Sequence, residues 1–161
     1  MGSLAVVDDH AEFERHALRW RDDVYRFAMS LTHDPTEADD VVQETYLRAY
    51  RSWYTFEPGS DTRRWLFTIC RNAFLRTREQ SRRWIEYTDN VEAVEEDVHG
   101  TWSAEESLLS RIDLGPALAD ALERLEEPHR EVVVLVYVEE RAYAAAATIL
   151  GVPIGTVRSR F

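Results

Sequence analysis

The chain has a single cysteine, no lysine, and no apolar run approaching the ~20 residues that a bilayer-spanning helix requires. The lone Cys70 excludes an intrachain disulfide and a cysteine-cluster metal site. The missing apolar run argues against a transmembrane protein. The start, Met1-Gly2-Ser3-Leu4-Ala5-Val6-Val7-Asp8-Asp9, lacks both the basic opening and the apolar stretch of a secretion signal. His10, His16, His33, His99 and His129 are scattered along the chain, so no metal site and no other cofactor is expected. With lysine absent, all 19 basic residues are arginine, a bias that carries little functional weight by itself. What is present is a chain of 161 residues, 45% hydrophobic and 30% charged, enough for one ordinary domain or two small ones. These features predict a soluble, cytoplasmic protein with no direct membrane insertion.

The formal net charge of −11 argues at first against nucleic acid as a partner. Its distribution reverses that reading. Residues 1–87 carry 13 Arg against 15 acids, and residues 111–161 carry six Arg against eight. Residues 88–110 carry seven acids and no base. That central stretch has no sustained helical period, and a block of like charge usually behaves as a flexible linker. The expected division is an N-terminal lobe over residues 1–87, an acidic linker over 88–111 and a C-terminal lobe over 112–161. Both lobes read as helices, so the expected fold class is all-α.

Phe13, Ala17, Trp20, Val24, Phe27, Ala28 and Leu31 recur at helical spacing, which predicts one helix over residues 11–32. His33-Asp34-Pro35 ends it. Thr36, ahead of Glu37, Asp39 and Asp40, is the expected N-cap of the next helix. That helix places Ala38, Val42, Tyr46, Ala49 and Trp53 on one face, with Asp39, Asp40, Gln43, Glu44 and Leu47 elsewhere. Pro58-Gly59 marks a turn in the loop that follows.

The most informative helix is predicted over residues 62–84. At 100° per residue, Arg64, Arg71, Arg78 and Arg82 form one stripe, Arg76 and Arg83 a second, and Asn72 lies between them. Leu66, Ile69, Cys70, Ala73 and Phe74 take the opposite arc, which makes Cys70 a packed core thiol rather than a redox sensor. Residues 63–84 hold seven Arg against one Glu. Two readings are open. The stripes are either a solvated charged face or a phosphate-facing surface, with Asn72 and nearby aromatics able to meet bases.

In the C-terminal lobe, Leu114, Leu118, Leu122 and Leu125 predict a helix ended by Glu127-Pro128. Residues 132–138 are β-branched enough to suit a strand. No other strand candidate exists to pair with them, so they are read as a buried helix. Counting Tyr143 as position one, Ala147 is fifth, Gly151 ninth and Val157 fifteenth, which is helix-turn-helix spacing. The small Ala147 would let two helices approach, Gly151 would take a left-handed turn, and Val157 would pack the second helix on the first. Thr156, Arg158, Ser159 and Arg160 would then project from that second helix toward a major groove. A plain helix hairpin fits the same spacing.

Three motifs in order carry a family resemblance. Asp39-Asp40-Val41-Val42-Gln43-Glu44-Thr45-Tyr46-Leu47-Arg48-Ala49-Tyr50 resembles region 2 of bacterial RNA polymerase sigma factors of the extracytoplasmic-function (ECF) group. Trp65-Leu66-Phe67-Thr68-Ile69-Cys70-Arg71-Asn72 resembles the promoter-melting, −10-reading helix of the same group. Gly151-Val152-Pro153-Ile154-Gly155-Thr156-Val157-Arg158-Ser159-Arg160 resembles its region 4 recognition helix. The resemblance covers about residues 11–87 and 112–161, and the linker between leaves no room for a region 3 domain.

The resemblance implies a dissociable, non-catalytic subunit that confers promoter recognition on core RNA polymerase. Asp39, Asp40, Gln43, Glu44 and Leu47 would dock on the clamp helices of the β′ subunit, and region 4 on the β flap. Phe56, Arg64, Arg71, Asn72, Arg76, Arg78, Arg82 and Arg83 would meet the −10 element. Asn72 would help hold a flipped-out base, and the loop over residues 56–61 would close on it. Trp65 reads as core rather than as a base stacker. Thr156, Arg158, Ser159 and Arg160 would contact the −35 element through phosphates and base edges. The linker would thread the RNA exit channel, its acids mimicking a nucleic-acid backbone. An anti-sigma factor is the expected controlling partner, and the bacterial cytoplasm, at the nucleoid, the expected place of action.

There are two departures from the pattern. Ala144-Ala145-Ala146-Ala147 stands where the group carries two acids, an isoleucine and an alanine, which implies looser packing there. The sequence stops at Phe161, inside the recognition motif, so region 4 is expected to be C-terminally incomplete and −35 binding weak. The alternative is a helix-turn-helix regulator that binds operators independently of polymerase. It accounts for residues 143–161 and leaves the motifs at 39–50 and 65–72 without a role.

Overall fold

The structure, a computed structural model, describes residues 3–88 and 116–161. The expected acidic linker from residue 89 onward and Leu114 lie outside them. Among the described residues every regular element is helical and no strand occurs.

The helix expected over residues 11–32 is two helices. α1 (Ser3–Ala17) and α2 (Arg21–Thr32) are separated by a tight 3₁₀ turn at Leu18–Trp20. Both helices pack into one core, α1 through Phe13 and Ala17. Phe13 of α1 meets Tyr50 and Trp53 edge-on, with ring centroids 5.3 and 5.4 Å away. Val24, Phe27, Ala28 and Leu31 of α2 are buried in the same core, which the third and fourth helices complete.

His33 adopts a left-handed conformation (φ 57°) and closes α2 by donating its N–H to Met29 O at 2.9 Å. α3 (Pro35–Arg51) starts at once, but its cap is Asp34 and not Thr36. Asp34 Oδ1 accepts the Glu37 N–H at 2.8 Å, and Pro35 occupies the first turn, where its missing N–H costs nothing. After a 3₁₀ turn at Trp53–Thr55, the chain crosses Pro58-Gly59 in a β-turn. Ser60 N–H bonds Glu57 O at 3.1 Å, and Gly59 takes φ 87°, a value open to glycine at little cost.

α4 (Thr62–Thr88) is the spine of the fold. Leu66, Phe67, Cys70, Ala73 and Phe74 are buried against α2 and α3, and Phe67 stacks on Phe27 with centroids 4.7 Å apart. Cys70 sits fully buried beside Thr45, and burial pushes its thiol pKa up to about 12. Native protein should therefore resist a thiol-exchange reagent at pH 8 and react only when denatured. Modification of the native chain at the rate of free cysteine would contradict this burial.

The second lobe begins with α5 (Pro116–Glu123), which buries Leu122 but leaves Leu118 and Leu125 at the surface. Glu127-Pro128 does not end that helix; it opens α6 (Glu127–Val133), with Pro128 in the first turn. α6 runs into a wide π-type turn at Val134–Val138, where Glu139 N–H reaches back five residues to Val134 O at 2.9 Å. The β-branched run is thus helical, with Val132, Val134 and Leu135 buried. α7 (Tyr143–Leu150) and α8 (Ile154–Arg160) meet across Gly151, which takes φ 65°. Val157 is fully buried; the small residue wholly inside the joint is Ala146, and Ala147 is only half-buried. Side chains of both lobes form one continuous apolar cluster, with α7 lying along α4. No helix among the described residues is long and apolar enough to cross a membrane.

Candidate functional site

Three surfaces carry the residues singled out from the sequence. On α3, the positions turned away from the core include Asp39, Asp40, Gln43, Glu44 and Leu47. All but Glu44 are exposed; Glu44 is half-buried and pairs with Arg48. Leu47 leaves 43% of its surface in solvent, and Tyr50, one turn on, leaves 46%. Val41, Val42, Thr45 and Ala49 of the same helix are buried. The exposed face is therefore rigid, held from behind by the core.

At the head of α4, Asp61 Oδ1 accepts the Arg64 N–H at 3.0 Å. Phe56 stacks on Trp53 at 4.7 Å, and Trp65 leans on both, with centroids 5.9 Å from Trp53 and 5.1 Å from Phe56. Trp65 is half-buried in this aromatic wall. A cleft of about 280 Å³ opens beside it, lined by Trp53, Phe56, Gly59 and Thr62, with His16, Asp9 and Glu12 from α1. Asn72 does not line that cleft. It lies on the exposed side of α4, about 15 Å further along the helix from Thr62 at 1.5 Å per residue.

The arginine stripe is divided by the second lobe. Arg71 Nε and Nη2 donate to Glu131 at 3.1 and 3.4 Å, and Arg78 Nη1 donates to Glu127 at 2.6 and 2.8 Å. Arg82 and Arg83 pair within α4, with Glu86 at 3.9 Å and Glu79 at 2.6 Å. Arg76 is exposed and Arg64 half-buried. Sequence reading did not single out Arg26, Arg63 or Glu139, which form the most buried ionic group among the described residues. Glu139 accepts from Arg26 Nε and Nη2 at 2.6 and 2.9 Å and from Arg63 as well. Hydrogen bonding to Glu139, above all, raises the Arg26 pKa still further. Arg63 Nε also lies 2.9 Å from Asp23 Oδ2, an ion pair without the alignment of a hydrogen bond. No local pattern marks these residues, because Glu139 is 113 positions from Arg26.

On α8, Arg158 and Ser159 are exposed, and Thr156 and Arg160 half-buried. Ser159 Oγ is already engaged with Thr156 O at 3.0 Å.

A helical lobe built around an arginine-rich spine, next to a lobe ending in a helix-turn-helix, defines a two-domain DNA-binding transcription protein. Residues 17–84 match the family model of Sigma-70 region 2, and residues 116–161 match that of Sigma-70, region 4. The chain belongs to the ECF group of RNA polymerase sigma factors. It is 37% identical over 134 residues to the ECF RNA polymerase sigma factor EcfG of Rhodopseudomonas palustris, covering 83% of this chain and 70% of that protein. Identity to the ECF sigma factor SigL of Mycobacterium tuberculosis is 35% over 160 residues, covering 97% of this chain and 80% of SigL. Among solved structures, the sigma factor RpoE bound to the anti-sigma factor NepR from Bartonella quintana superposes with a TM-score of 0.70 at 31% identity. That match covers 92% of this chain and 89% of RpoE. CnrH, solved with the cytosolic domain of CnrY, gives 0.63 at 25% identity over 94% and 81% of the two chains.

Proposed function

We propose that the chain divides its work as region 2 over residues 1–87, an acidic linker over 88–111 and region 4 over 112–161. The α3 face with Asp39, Asp40, Gln43, Glu44 and Leu47 docks on the polymerase β′ clamp helices, and region 4 engages the β flap. Phe56, Arg64, Arg71, Asn72, Arg76, Arg78, Arg82 and Arg83 meet the −10 element. Thr156, Arg158, Ser159 and Arg160 meet the −35 element. The protein acts in the cytoplasm, contributes no catalytic group, and is restrained by an anti-sigma factor, as RpoE is bound by the anti-sigma factor NepR in its solved complex.

The observation that supports this most directly is Leu47, an apolar side chain 43% exposed, one turn from Gln43 and Glu44 on a helix packed from behind by the core. An apolar anchor with a polar rim is the anatomy of a protein-docking site. Leu47→Asp is expected to weaken binding to bacterial core RNA polymerase about 30-fold, the effect of losing a ~2 kcal/mol anchor. Run-off transcription from a promoter library should fall in parallel. Wild-type affinity in the variant would overturn the docking assignment. Failure of the wild-type chain to give core polymerase any promoter preference would overturn the whole reading.

A further inference from the structure

The cleft of about 280 Å³ at the head of α4 has two unlike walls. One is aromatic. Trp53 and Phe56 stack with their rings 9° from parallel, and Tyr54 stands beside them with 84% of its surface exposed. The other wall belongs to α1 and is polar, made by Asp9, Glu12 and His16, whose ring stacks on Trp53 at 6.3 Å. Among the described residues, neither Asp9 nor Glu12 makes an ion pair or a side-chain hydrogen bond, so both carboxylates keep their accepting capacity. No arginine is among the described residues that line the cleft, so its chemistry does not suit a phosphate. A flat aromatic face opposite hydrogen-bond acceptors suits a nucleobase taken out of its stack. Asn72, to which the family pattern gives the flipped-out −10 base, lies outside the cleft, about 15 Å further along α4.

We propose that this cleft is a second base site, for one nucleotide of the non-template strand downstream of the base at Asn72. Asp9 and Glu12 select there for a base that carries an exocyclic amino group. The inference rests on the reading of α4 as the −10 surface. The chain leaves α4 at Thr88 toward the lobe that meets the −35 element, so the head of the helix points the other way, downstream. At the stacked spacing of about 3.4 Å per nucleotide, 15 Å is roughly four nucleotides, and fewer for an extended strand. Carboxylates only accept hydrogen bonds. Cytosine N4, adenine N6 and guanine N2 each offer amino donors, whereas thymine presents two carbonyl oxygens flanking one N–H. Those oxygens would face the two acids without a donor between them. Stacking on the aromatic wall is indifferent to base identity, so the wall grips and the acids discriminate.

The test uses the full chain assembled with bacterial core RNA polymerase and a pre-melted promoter whose non-template strand is randomised across the bubble. Strands that stay bound are sequenced. Thymine should be depleted about tenfold at one position downstream of the position whose preference Asn72→Ala abolishes, the effect of losing a hydrogen bond to a charged group. Asp9→Ala combined with Glu12→Ala should shrink that depletion to below about threefold and leave the Asn72 position unchanged. Both acids are exposed, so this variant should melt with the wild type. Removing two negative charges strengthens binding of all strands alike, and only the ratio between bases reads the site. Tyr54→Ala should weaken strand binding about fivefold whichever base stands at that position, the low end for a lost stacking partner. If no downstream thymine depletion occurs, or if it survives loss of both acids, the second base site is overturned. The −10 reading then still stands provided Asn72→Ala removes its own preference. If Asn72→Ala changes nothing either, the −10 reading falls and the second site with it.

Discussion

Truncating Phe27 to alanine is expected to cost about 3–5 kcal/mol of stability, the range for deleting a buried aromatic ring. The residue is 0% exposed and stacks on Phe67 at 4.7 Å with the rings 16° from parallel. Three losses add at that position. The ring's transfer from water is forfeited, a cavity opens between α2 and α4, and the stacking term of roughly 0.5–1.5 kcal/mol disappears. For a chain of this size each kcal/mol shifts the midpoint by about 2–4 °C, so thermal unfolding should move down by about 6–20 °C. Tyr54→Ala supplies the contrast. Tyr54 is 84% exposed, and its truncation should stay within about 0.5 kcal/mol. Equal effects from the two would mean that α2 does not pack on α4 as described.

Glu139→Gln is the second large effect, expected at about 3 kcal/mol. The Glu139 side chain is wholly buried, while those of Arg26 and Arg63 keep 29% and 13% of their surface. Removing the carboxylate charge leaves two guanidinium groups with Asp23 alone, at 2.9 Å from each. Breaking a buried pair by deleting one partner usually costs 3–5 kcal/mol, and the surviving aspartate holds the value to the lower end. Urea unfolding of the full chain reads the loss. A double-mutant cycle with Arg63→Gln should return a coupling of about 1.5–3 kcal/mol, as for hydrogen bonds to charged groups. A coupling near zero would place Glu139 outside the ionic group.

Much of the first lobe was legible in the chain because helical periodicity is a local property. Val24, Phe27, Ala28 and Leu31 were placed on one face by their spacing, and all four are buried. So are Leu66, Cys70, Ala73 and Phe74 of α4, although Phe67, fully buried, was not picked out. The turn residues were legible for the same reason: Gly59 and Gly151 take the positive φ values their positions demand. What went astray turned on choices between near-equal local options. Asp34 and Thr36 are both good caps, and Pro35 decides between them, because proline fits just inside the start of a helix. Ala146 and Ala147 are neighbours of the same size, and only the crossing of α7 and α8 determines which is buried. The break at Leu18–Trp20 has no sequence mark, since the apolar spacing runs through it without a fault.

The sequence by itself determined an all-helical chain, the outward face of α3, the arginine-rich spine and the helix-turn-helix spacing. Each depends on residues three, four or seven apart, and a helix converts that interval directly into direction. Only the tertiary structure decided which charges meet. Arg78 and Glu127 are 49 positions apart, Arg71 and Glu131 are 60, and Arg26 and Glu139 are 113. Any of the chain's acids could have answered those arginines as far as composition tells. The choice came from apolar packing of α7 along α4, which brings one edge of the second lobe against the spine and excludes water from Glu139.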